Sequence, residues 1–132
     1  MKAAAWVVAV ALLFFSGVIG LTNGPSEFRG VHGALQFSVA IGEVLYGVAG
    51  VLGGIGLALR KPWSVRAAEG WGAIVTYVAT VASFAFTGPD VSVGTKAVSA
   101  TAAGVVTALI AWFVVWSARR ATARASSLPP PA

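Results

Sequence analysis

From Val31 to Leu59 the chain is apolar almost throughout, yet Glu43 sits near the middle of the run. A hydrocarbon core takes about 20 apolar residues to cross, so the stretch predicts a transmembrane helix with a carboxylate at membrane depth. At about 100° per residue, His32, Gln36, Glu43, Gly47, Gly50 and Gly54 return to one narrow face. That stripe is polar in its first half and bare in its second. Bare glycine lets a neighbouring backbone approach closely, and a carboxylate buried against protein costs far less than one facing lipid.

Composition agrees with a membrane domain. Hydrophobic residues make up 58% of the 132 and charged residues 10%, with a mean hydropathy of +0.86, far from the averages of soluble domains. The absence of cysteine excludes disulfides, thiolate metal sites and cysteine nucleophiles, and a single histidine leaves little for a metal. The net charge of +5 is not a nucleic-acid signal, because the basic residues stand beside apolar runs instead of forming a patch interleaved with aromatics.

Four apolar runs follow one another: residues 3–21, 31–59, 71–86 and about 98–116. The segments between them, Thr22 to Gly30, Arg60 to Gly70 and Thr87 to Ala97, pair Pro with Gly or Ser and read as helix breaks. The first run has the charged start of a signal peptide, but its length, Trp6, Phe14 and Phe15, and the lack of a small-x-small site favour a retained span. The fold predicted is an all-α integral membrane domain over residues 1–120, an antiparallel four-transmembrane-helix bundle, because short connections reverse each successive span.

Lysine and arginine set the orientation. With the amino terminus in the cytoplasm, Lys2, Arg60, Lys61, Arg66, Arg119, Arg120 and Arg124 lie inside and only Arg29 and Lys96 outside, seven against two. Trp6, Trp63, Trp71, Trp112 and Trp116 then fall near the cytoplasmic ends of the spans, where indoles favour the interface. The expected location is a bacterial-type plasma membrane, crossed several times, with both termini cytoplasmic. Residues 121–132 lose apolar periodicity and carry Pro129, Pro130 and Pro131 near their end, a tail expected to be disordered on its own.

The other spans carry small or hydroxyl stripes: Ala5, Ala9, Ser16 and Gly20; Ala73, Thr76, Thr80, Ser83 and Thr87; Ala97, Thr101, Gly104, Ala108 and Ala111. These suit close helix packing, with Leu13, Phe14, Tyr77, Phe84, Phe113 and Val114 left for lipid or partners.

Each candidate site has a plain alternative. Glu43 suits a proton carrier or cation site, and equally a carboxyl that bonds across the bundle to Tyr46, Tyr77, Thr76 or Thr80. His32, between Gly30 and Gly33, has room for a flat haem or chlorophyll macrocycle, but an interfacial histidine bonded to Glu27 or a headgroup is the commoner case. Gly47, Gly50 and Gly54 favour packing over any phosphate loop, which would need a strand before it. Arg60, Lys61 and Arg66 suit anionic headgroups as well as they suit topology. No base and orienter surround Ser16, Ser38 or Ser83, which argues against an enzyme. The expectation is no metal or cofactor beyond bound lipid.

From Ile41 to Tyr77 the order IGEVLYGVAGVLGGIGLALRKPW, followed by a span with Trp and Thr, resembles the DoxX-like group of small four-helix membrane proteins. The resemblance covers about a quarter of the chain and implies association with respiratory membrane proteins but no defined reaction. The first span lacks the charged residue of that group. Two functions follow as expectations: a non-catalytic accessory subunit of a larger respiratory or photosynthetic membrane complex, held by other membrane subunits and lipid, or a small homo-oligomeric proton-coupled transporter or channel using Glu43.

Overall fold

The computed structural model describes residues 2–131 and is all-helical there, with four helices. These are α1 (Lys2–Glu27), α2 (Ala34–Ala58), α3 (Ser64–Ala85) and α4 (Val93–Ser126), with one 3-10 turn, Phe28–Gly30, after α1. Three helical stretches are long and apolar enough to cross a membrane: Ala3–Gly30, Ala34–Ala58 and Val93–Ser126. α3 is long enough, but Glu69, Thr76, Thr80 and Ser83 dilute its hydropathy and it is not among the three.

Several boundaries differ from the sequence expectation. α1 runs to Glu27 instead of stopping at Leu21, with Pro25 inside it. Proline in the last turn removes a single amide donor and leaves the rest of the ladder intact, so it does not end this helix. α2 starts later, because Gly33 takes φ +108° and turns the chain into the helix. Gln36 in its first turn reaches back, its Oε1 accepting from the His32 amide at 2.8 Å. His32 therefore stands exposed ahead of α2 and does not share the Glu43 face.

At the other end α2 stops in a Schellman closure. Lys61 N–H donates to the Gly56 carbonyl at 2.8 Å, across Arg60 at φ +53°. The left-handed position is one that glycine usually fills, and an arginine there costs about 1–2 kcal/mol. α4 begins on a Ser92 cap whose hydroxyl accepts from Thr95 N–H. It continues through Ser126, so the first half of the expected tail is helix. At about 1.5 Å per residue its 34 residues reach about 51 Å.

α2 is the centre of the molecule: 56% of its apolar window is buried, against 22% for the α1 stretch and 17% for α4. One face meets α1 and another meets α3, where Gly42 faces Val78 and Gly56 lies under the Trp63 ring. Leu13 and Val114, expected to face outward, are fully buried, as are Leu57 and Val39. Trp71 is also core, not interfacial, its indole N–H donating to Ser16 Oγ at 2.9 Å. Trp6 donates to the Leu57 carbonyl at 3.1 Å, so two indoles tie α1 to its neighbours.

Candidate functional site

The site is built on the seam between α1 and α2. Along α1, Ala9, Leu13, Gly17, Gly20, Gly24 and Glu27 recur every three or four residues, and all are buried except Glu27, which is partly so. Opposite them Glu43, Gly47, Gly50 and Gly54 line α2. A Cβ on Gly50 would come within 2.6 Å of the Leu13 carbonyl, and one on Gly17 within 2.5 Å of the Val51 amide. Backbone rests on backbone there, leaving no room for a water between the helices.

Toward the 28–33 connection the seam changes character. A Cβ on Gly20 would meet the Glu43 carbonyl and the Tyr46 ring, so this glycine makes the space in which Glu43 and Tyr46 sit. Glu43 is 9% exposed, and its Oε2 is buried with no hydrogen-bond partner among the described residues. Glu27, last residue of α1 and next on the glycine stripe, also buries an unpartnered Oε2 and lies within electrostatic reach of Glu43 and Tyr46. Two carboxylates thus converge at the mouth of an apolar seam. The close glycine packing behind them closes the way through α1 and α2.

Two of the residues weighed as hydrogen-bond partners for Glu43, Tyr77 and Thr80, are engaged elsewhere. The Tyr77 hydroxyl shares a hydrogen bond with Ser38 Oγ at 2.8 Å, and Thr80 donates to the Thr76 carbonyl at 2.8 Å. Ser83 likewise bonds back to Ala79 within α3. Thr80 instead packs on α4, where it occupies the space a Cβ on Gly104 would need. Gln36 points to the far end of α3, its Nε2 donating to the Ala85 carbonyl at 3.4 Å. His32 meets Gln36 only through its backbone amide and lies ahead of α2, off the Glu43 face, because the helix starts at Ala34 and not at Val31.

The basic residues gather at the opposite end. Arg60 lies over the Trp6 ring at 5.3 Å and Arg120 over Trp116 at 4.2 Å. Lys61 is exposed, and Arg66 is paired with Glu69 at 3.6 Å. Glu69 also accepts from Arg119 at 2.6 Å, and this hydrogen bond holds its carboxyl below the usual range.

Three members of the seam escaped the sequence reading. Gly17 and Gly24 continue the spacing of Gly20, and Glu27 continues theirs; placing a break at Thr22 hid the signal. No protein-family model matches this chain. Neither the curated proteins nor the solved structures compared with it gave a match.

Proposed function

We propose that this chain is a small multi-pass protein of a bacterial-type plasma membrane, an antiparallel bundle of four spans with both termini cytoplasmic. In this reading it serves as a non-catalytic accessory subunit of a larger membrane complex of respiratory or photosynthetic type. The opposite running of contacts supports the topology. Phe14, Gly17 and Gly20 meet Gly54, Gly50 and Glu43 in turn, and Gly72 and Thr80 meet Ala111 and Gly104. The gathering of Arg60, Glu69 and Arg119 with Trp6 at one end supports the orientation.

The observation that carries the subunit role is the outward face of α4. Gly104 and Ala111 of its small-residue stripe are spent on α3, but Ala97, Thr101 and Ala108 remain exposed. Ala97, Thr101 and Ala102 floor a groove between Val98, Val105 and Val106, of the kind a second helix enters in lipid. Because the chain has no cysteine, Thr101→Cys offers a single attachment point. Crosslinking from it in native membranes, followed by gentle solubilisation and sizing, should yield an adduct with another membrane protein in a particle larger than this bundle in its detergent belt. A monodisperse single-chain particle without adduct overturns the role.

The Glu27 and Glu43 convergence favours a second reading, proton or small-cation exchange from the outer side. In liposomes, pH-driven flux should fall in Glu43→Gln and in Glu27→Gln. Equal flux from the native chain and both variants removes the pair from any such function.

A further inference from the structure

Between the first turns of α1 and the last turns of α4 the bundle leaves a cavity of about 410 Å³. Arg60, Arg120 and Arg124 line it together with Trp6, Trp116 and Ser117, and no acidic residue among the described residues does. Ser117 is 4% exposed and its Oγ is buried without a hydrogen-bond partner among the described residues, although a helical serine ordinarily bonds back to its own helix. Two of the guanidiniums are held against indole faces, Arg60 on Trp6 and Arg120 on Trp116. The Trp6 ring is itself fixed by its bond to the Leu57 carbonyl. Glu69, a nearby carboxylate on this end of the bundle, is already engaged by Arg119 and Arg66.

We infer that this cavity is a binding site for the phosphate of an anionic phospholipid. Guanidinium forks match phosphate oxygens, and Arg120 and Arg124, one helical turn apart on α4, bring two of them to the same cavity as Arg60. Ala3, Ala5, Val7 and Ala121 complete a largely apolar wall that continues onto the exposed Val7 and Val8 side of α1, where an acyl chain can lie. A free inorganic phosphate gains nothing from that wall, which is the reason for choosing a lipid. The site also differs from the basic trio suggested by the sequence, since Lys61 and Arg66 do not line it.

The inference rests on the membrane reading above, so its test reads the two separately. Retention of the chain in carbonate-washed vesicles reports on membrane insertion alone. Protein purified in mild detergent is then titrated with phosphatidylglycerol, phosphatidylcholine or inorganic phosphate, and bound lipid is counted by native mass spectrometry. One phosphatidylglycerol should be retained at least tenfold more tightly than phosphatidylcholine, with millimolar phosphate unable to displace it. The Arg60→Gln, Arg120→Gln double variant should lose that preference, whereas Arg66→Gln, outside the cavity, should keep it. Equal retention of the two lipids, displacement by phosphate, or an unchanged preference in a folded double variant would each overturn the site. If the double variant does not fold, Arg124→Gln, a change at an exposed lining residue, must weaken phosphatidylglycerol retention severalfold for the proposal to stand.

Discussion

The α1–α2 seam and the α1–α4 seam share one helix and are built from opposite materials. On the α2 side α1 presents Gly17, Gly20 and Gly24, and the two backbones touch. On the α4 side it presents Ala3, Trp6 and Val7 to arginines, and a cavity remains. In the proposed membrane setting no hydrophobic force drives helices together, so closeness of packing holds them and the glycine seam carries most of that closeness. The open seam is free to bind. The difference teaches that along α1 the glycines mark where a neighbouring backbone closes in, and Trp6 with the facing arginines marks where a cavity is left.

The largest effect should come from filling the closed seam. Gly50→Leu places a side chain against the Leu13 carbonyl and should destabilise the protein by about 3 kcal/mol, by overpacking a backbone that cannot retreat. Val48→Leu, on the half-exposed outer side of α2, should stay within about 0.5 kcal/mol. Thermal unfolding in one detergent compares the two, and a reversed order would mean that the closed seam bears no special load.

A smaller effect is expected at the mouth of that seam. The Glu43 Oε2 is buried without a partner among the described residues, so Glu43→Leu removes a desolvation cost and should raise stability by about 1 kcal/mol. A loss of similar size would reveal a hydrogen bond holding the carboxylate in place.

At the open seam the balance is finer. Arg60→Gly relieves a left-handed residue, worth about 1–2 kcal/mol, and gives up a cation–π contact with Trp6 worth about 0.5–1 kcal/mol. A net rise of about 0.5 kcal/mol should follow from those two magnitudes. A fall in unfolding temperature would show that the contact outweighs the strain.

The smallest effect belongs to Glu69. Its carboxyl is held low by Arg119, so the pair stabilises the fold above the ordinary glutamate range and loses that contribution as pH falls through the lowered folded value. Arg119→Gln should lower the melting temperature slightly at pH 7 and by less near pH 2, as acid protonates the Glu69 carboxylate. The pair is exposed, which keeps the difference small. Equal melting at both pH values would mean that the pair adds nothing.

Some of this was legible in the residues. Helical runs separated by Pro and Gly give four helices, and simple arithmetic puts Glu43, Gly47, Gly50 and Gly54 on one face. What was not legible depended on context. Pro25 reads as a stop, but in a last turn it costs one hydrogen bond and the helix passes through it. With that stop removed, Gly17, Gly24 and Glu27 become part of the same stripe, and Glu27 becomes a neighbour of Glu43. The cavity needed Arg60, from the end of α2, to meet Trp116 and Arg120 on α4. No spacing within one run announces such a meeting, because it depends on how two distant helix ends are set side by side.

The central claim is that all four helices cross the membrane, and α3, the least apolar, is where it is most exposed to failure. Single cysteines at Ser26, Lys61, Asp90 and Ser127 in the cysteine-free chain can be labelled in intact cells with a membrane-impermeant maleimide. The account predicts labelling at Ser26→Cys and Asp90→Cys from outside, and at Lys61→Cys and Ser127→Cys only after permeabilisation. Labelling of Lys61→Cys and Asp90→Cys from the same side would mean that α3 does not cross, and would contradict the four-span bundle.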